Sequence, residues 1–98
     1  MVVKVYKFET ANFAKANEVL KDDAYARNGY LLRDGNSIGQ DEKYYYLYVK
    51  GPEEFFAENE KKLEDVPGLE EIKDADDIIK KIEEEQENVA SGVGAIFG

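Results

Sequence analysis

Carboxylates, lysines and phenols are the side chains this sequence offers for chemistry. It has no histidine and no cysteine. That removes an imidazole base, a thiolate nucleophile, thiolate or imidazole zinc ligands and any disulfide framework. Thr10, Ser37 and Ser91 are the only hydroxyl residues besides tyrosine, so a serine–histidine–aspartate site cannot be assembled. Paired carboxylates can do acid–base work when an apolar pocket raises one pKa, and no such pocket is visible in the pattern. No catalytic residue is assigned and no enzyme is expected. Hard cations with oxygen ligands remain open.

The densest group of candidate side chains is aromatic. Tyr44, Tyr45, Tyr46 and Tyr48 fall between Lys43 and Lys50, in a run of strand-forming residues. Alternate residues of a strand face opposite sides. Leu47 and Val49 suit a helix-covered core, which leaves Tyr44, Tyr46, Tyr48 and Lys50 on the other face. A second strand, Val2 to Phe8, has faces Val3/Val5/Lys7 and Val2/Lys4/Tyr6/Phe8. The second of these is expected to join the tyrosine row. The candidate ligand- or partner-binding set is then Tyr6, Tyr44, Tyr46, Tyr48, Lys4 and Lys50. Aromatics with flanking cations can stack the bases of single-stranded nucleic acid. They are better suited to burial under an apolar helix of the same chain or against a second copy.

A polar stretch follows Arg33. Asp34, Asn36, Asp41 and Glu42 could offer oxygens to calcium or magnesium. The stretch begins like an EF-hand loop, with Asp34 and Asn36 at the first and third positions and Gly39 at the sixth. It departs at Ile38, where a ligand belongs, and at Tyr45, which stands in place of the closing glutamate. A plain hairpin loop is the simpler expectation. A third group is acidic: Glu70, Glu71, Asp74, Asp76, Asp77 and Glu83 to Glu85. It reads as a solvated helix face with a cap, or as a docking surface for a basic partner.

The net charge is −9, unevenly placed: residues 1–50 carry eight basic and seven acidic side chains, and residues 51–98 carry five and fifteen. Such a chain is a poor general ligand for nucleic acid or anionic lipid, both polyanions. The apolar runs fall well short of the roughly 20 residues that span a bilayer. No basic, then apolar, leader opens the chain. A soluble cytoplasmic protein is expected, with a Lys- and Glu-rich composition like that of thermophile proteins.

The elements that position these groups read in order. After the Val2–Phe8 strand, Thr10 or Asn12 caps a helix whose face is Phe13, Ala16, Leu20 and Ala24. Asn28-Gly29 stops it. Tyr30 to Leu32 is a short strand that pairs with the tyrosine strand as a hairpin. Gly51-Pro52 opens a second helix carrying Phe56, Glu60 and Leu63 on one face. Val66-Pro67-Gly68 is a turn, Leu69 to Lys73 a short strand, and Asp74 caps a last helix with an apolar stripe of Ile78, Ile79, Ile82, Gln86, Val89 and Ala90.

This order resembles the ferredoxin-like βαββαβ sandwich with an additional C-terminal helix, an α+β fold with an antiparallel four-stranded sheet. Residues 1–91 are expected to form the single domain, with 92–98 a flexible apolar tail. The tyrosine row would occupy the central strands, where RNA-recognition domains place their stacking aromatics. The glycines of their strand motif are missing between Lys43 and Lys50. The expected function is a small acidic, non-enzymatic interaction or ligand-binding module that self-associates through the open sheet face. Single-stranded nucleic-acid binding on that face and weak divalent-cation binding by the loop are the alternatives. The expected partner is a protein or a second copy of the chain, without nucleic acid or membrane.

Overall fold

A computed structural model describes residues 1–84 of the chain. Four strands, β1 (Val2–Glu9), β2 (Leu31–Asp34), β3 (Tyr44–Gly51) and β4 (Glu70–Glu71), form one antiparallel sheet in the order β2-β3-β1-β4. The two strands densest in β-branched and aromatic residues are the two central ones, as their composition predicts. They pair along their whole length, from Val2 opposite Gly51 to Glu9 opposite Tyr44.

Helical segments lie between the strands. A 3-10 turn at Thr10–Asn12 leads into α1 (Phe13–Val19), followed by α2 (Asp23–Asn28). After β3 come α3 (Glu53–Asn59) and a 3-10 segment, Glu60–Asp65. Residues 76–84 are helical. The expected end of the last helix and of the domain near Ser91, the stripe residues Gln86, Val89 and Ala90, and the tail 92–98 lie outside the described residues.

The single helix expected from Phe13 to Asn28 is two helices, and Asp22 is the reason. Its backbone is extended, at φ −50° and ψ 137°, and its side chain accepts from the Ala24 N–H at 3.0 Å. An N-cap inside the run restarts the helix. It also removes the difficulty of two aspartates near a helix C-terminus, because Asp22 and Asp23 now stand at a helix start, where the dipole favours anions. Thr10 and Asn12 do not cap. Thr10 Oγ1 donates to the Glu42 carbonyl at 3.2 Å and Asn12 Nδ2 to the Pro67 carbonyl at 2.9 Å, tying this turn to two neighbouring loops. Gly29 and Gly68 take φ 85° and 72° at the expected helix stop and Pro-Gly turn. β4 spans two residues rather than the five expected.

Both sheet faces are covered. On one, Tyr6, Phe8, Leu47 and Val49 pack with Ala16, Leu20, Tyr25, Phe56, Leu63 and Val66. Tyr25, fully buried, donates its hydroxyl to the Asn59 carbonyl at 2.8 Å and so locks α2 to the end of α3. On the other face Val5, Tyr46 and Tyr48 pack with Ile38, Ala75 and Ile82, with Ile72, Ile78 and Ile79 around them. Ile82 is 0 % exposed and belongs to the 76–84 helix on that side. Ile82→Ala should therefore destabilise the fold by about 2–5 kcal/mol in urea unfolding, with the fluorescence of the tyrosine row changing in the same transition. A loss within experimental error would mean that the helix does not seal this face.

Candidate functional site

Antiparallel partners point to the same side of a sheet. The β1–β3 register pairs Val3 with Lys50, Val5 with Tyr48 and Lys7 with Tyr46, while Lys4 pairs with Val49, Tyr6 with Leu47 and Phe8 with Tyr45. The expected grouping of Tyr6, Phe8 and Lys4 with the tyrosine row is therefore overturned. The row's neighbours on β1 are Val3, Val5 and Lys7, and Tyr6 and Lys4 lie on the opposite face, toward α3. A shift of one residue in pairing exchanges the two faces of a strand, and both faces of β1 carry strand-forming residues.

The tyrosine row itself lies beneath the 76–84 helix. Tyr46 and Tyr48 are 5 % and 8 % exposed, and the Tyr48 hydroxyl donates to Glu83 Oε2 at 2.7 Å. Burial, then that bond, pushes the Tyr48 phenol up from 10.0 to about 12. Tyr44, half-buried at the end of the row, carries Lys7 Nζ 4.9 Å from its ring centre. Lys50 is exposed. The row is thus a packed layer under a helix of its own chain.

Lys4 and Tyr6 instead meet at Glu60. Glu60 Oε2 receives Lys4 Nζ at 2.9 Å and the Tyr6 hydroxyl at 2.6 Å, and Lys4 Nζ stands 4.0 Å from Glu71. Lys4 also lies 5.1 Å from the centre of the Phe56 ring. Burial raises the Glu60 pKa, but the hydrogen bonds from Tyr6 and Lys4 outweigh it and hold the carboxyl below its usual range. Burial first, and the Glu60 bond second, push the Tyr6 phenol far up. A carboxylate with a lowered pKa is a weak base and a phenol with a raised one a weak acid. The cluster is therefore built to hold the 3-10 segment onto β1 and β4. From the sequence, Glu71 is read only as one of the acidic set and Glu60 only as part of the second helix's face, and neither is placed with Lys4 and Tyr6. Glu60 could have been, because a carboxylate between Phe56 and Leu63 on a buried helical face needs a cation or a donor.

The hairpin loop spends its oxygens on its own turns. Asp34 Oδ1 accepts from the Asn36 N–H at 2.8 Å, Ser37 Oγ donates to the Asp34 carbonyl at 2.7 Å, and Asp41 Oδ1 accepts from the Lys43 N–H at 2.9 Å. Gly35 is packed so closely that a Cβ there would run into the Asp41 carbonyl. Glu42 contributes its backbone carbonyl to Thr10. No group of three or more carboxylates is placed to hold a metal ion among the described residues, and no helix among them is long and apolar enough to cross a membrane.

A remaining concave surface lies between α2 and α3, lined by Asp23, Ala24, Arg27, Asn28, Pro52, Glu54, Phe55, Glu58 and Asn59. Phe55, half-buried, meets Tyr25 edge-on with ring centres 5.1 Å apart, and Phe56 at 5.5 Å. Asp23 is held by Arg27 at 3.0 Å, and Asp22 by Lys62 at 3.0 Å. The Asp22 carboxyl is lowered, first by the Lys62 bond.

Two pH dependences follow. The Glu60 pKa is lower in the folded chain, so its stabilisation is complete above the usual carboxylate range and is lost as pH falls through the folded value. Glu60→Gln should cost about 0.5–1.5 kcal/mol near neutral pH, discounted for a side chain a third exposed, and should flatten the acid limb of stability against pH. An unchanged acid limb would contradict this assignment. The Tyr48 pKa is higher when folded, so its contribution is complete below 10.0 and disappears as pH rises toward about 12. Tyr48→Phe should therefore make the alkaline limb shallower in the same unfolding measurements, and an unaltered alkaline limb would count against the bond to Glu83.

Compared with known proteins, the chain matches no family model, no curated protein and no solved structure, so its function is argued from its own surface.

Proposed function

We propose that the chain is a small acidic, non-enzymatic interaction module that docks a basic protein partner on its helical side, built on a ferredoxin-like arrangement with one added helix. The strand order β2-β3-β1-β4, all antiparallel, supports that reading of the fold, as do the helical segments packed on one face between β1 and β2 and between β3 and β4.

The observation that carries the functional reading is the division of charge. Three of the cations are spent internally: Lys4 on Glu60, Lys62 on Asp22 and Lys7 on Tyr44 and Glu70. Carboxylates dominate the surface. Residues 53–84 carry thirteen acidic and five basic side chains. Glu53, Glu54, Glu58, Glu64 and Asp65, on α3 and the 3-10 segment after it, are exposed, as are Asp76, Asp77, Glu83 and Glu84 on the 76–84 helix over the other face. A surface of one sign draws a partner of the other by steering and repels polyanions. A stacking role for the tyrosines would require the 76–84 helix to lift away, which makes single-stranded nucleic acid the less supported reading.

The experiment is a titration of the full-length protein with a short lysine- and arginine-rich peptide and, separately, with a single-stranded oligonucleotide. The expected result is saturable peptide binding that weakens as salt screens the charges, with no oligonucleotide binding at the same ionic strengths. Oligonucleotide binding that shifts the Tyr46 and Tyr48 resonances, or no peptide binding even at low salt, would overturn the proposal.

A further inference from the structure

The geometry points to the cleft between α2 and α3 as a receptor for an arginine side chain of the partner. This rests on the reading of the chain as a module for basic proteins, and it places the contact on particular atoms.

Asn59 supplies the first reason. It is 7 % exposed, and apart from the tyrosine hydroxyls it is the one buried polar side chain among the described residues. Its Nδ2 donates to the Phe55 carbonyl at 3.0 Å. A carbonyl can only accept, so the amide orientation is determined and Oδ1 points away from the helix backbone. Oδ1 has no hydrogen-bond partner among the described residues, yet no sealed side-chain oxygen there lacks one. It therefore keeps some access to solvent, and Asn59 lines the cleft. A donor brought by a partner can take the place of the water that serves this acceptor.

The walls supply the rest. Phe55, at the base of α3, is held edge-on by Tyr25 and offers an aromatic surface suited to a planar cation. Glu54 and Glu58, one helical turn apart, line the same cleft and are exposed. Neither is in an ion pair among the described residues. The cleft's one cation, Arg27, is already committed to Asp23 at 3.0 Å. An amide acceptor, an aromatic ring and two unspent carboxylates lining one cleft match a guanidinium, which stacks through its plane and donates through its edge. An ammonium is a compact point charge that stacks less well.

The test is NMR titration of the full-length protein with two short peptides, one arginine-rich and one with every arginine replaced by lysine, repeated on the double variant Glu54→Gln/Glu58→Gln. Both substituted side chains are exposed, so the fold should be kept. The expected result is that the arginine peptide binds more tightly than the lysine peptide and shifts the Asn59 side-chain amide and the Phe55 ring. The double variant should weaken arginine-peptide binding about tenfold or more, the effect of losing roughly 1.4 kcal/mol. Peptide binding with shifts confined to other carboxylates, equal affinity for the two peptides, or an unaffected double variant would overturn the cleft while leaving the acidic-module reading intact. No binding of either peptide at low salt would overturn both.

Discussion

The register between β1 and β3 is the constraint on which the rest of the structure depends. Pairing Val5 with Tyr48 and Tyr6 with Leu47 decides which side chains each face receives. One face gains Tyr6, Phe8, Leu47 and Val49 and takes the aromatic-rich α1–α3 layer. The other gains Val5, Tyr46 and Tyr48 and takes the isoleucines of the 76–84 helix. Moving the pairing by one residue would turn Lys4 toward the isoleucines and remove its partner, Glu60. The register thus also determines where charge is neutralised and where it is left over.

Much of this was legible in residue types and spacing. The tyrosine strand, its long central partner, the four-stranded antiparallel sheet, the Asn28-Gly29 stop and the Pro67-Gly68 turn all have strong local signals: β-branched and aromatic runs, or a glycine needed at positive φ. The face assignment of β1 was not legible, because Val3 and Val5 on one side and Tyr6 and Phe8 on the other suit a core equally. The break at Asp22 was hidden because Phe13, Ala16, Leu20 and Ala24 keep helical spacing across it. The three-dimensional structure shows the Asp22 side chain capping the Ala24 N–H and held by Lys62 at 3.0 Å, contacts that the spacing does not reveal.

The candidate site was legible in part. Tyr44, Tyr46 and Tyr48 do form one row, and an apolar stripe ending in carboxylates does match them, as the Tyr48–Glu83 bond records. Lys4 and Tyr6 were recognised as notable residues but belong to a different cluster, whose other members, Glu60 and Glu71, come from elements far away in the chain. Asn59 had no sequence signal at all. Its importance comes from being buried at the end of α3 with one amide atom committed and the other free. The electrostatic result is coherent: Lys4, Lys7 and Lys62 are paired with carboxylates of the chain, and much of the acidic excess of residues 53–84 is exposed.

The central claim is that the chain seals its own sheet, so that the helical side is what it presents to others. Isotope-filtered NOE spectroscopy on an equal mixture of labelled and unlabelled protein tests this most directly, by asking which molecule's Ile82 methyls lie against the Tyr46 and Tyr48 rings. The account predicts strong Ile82–tyrosine NOEs within one molecule and none between molecules. NOEs only between molecules, or none at all, would show that a second copy covers the tyrosines or that nothing does, and would contradict it.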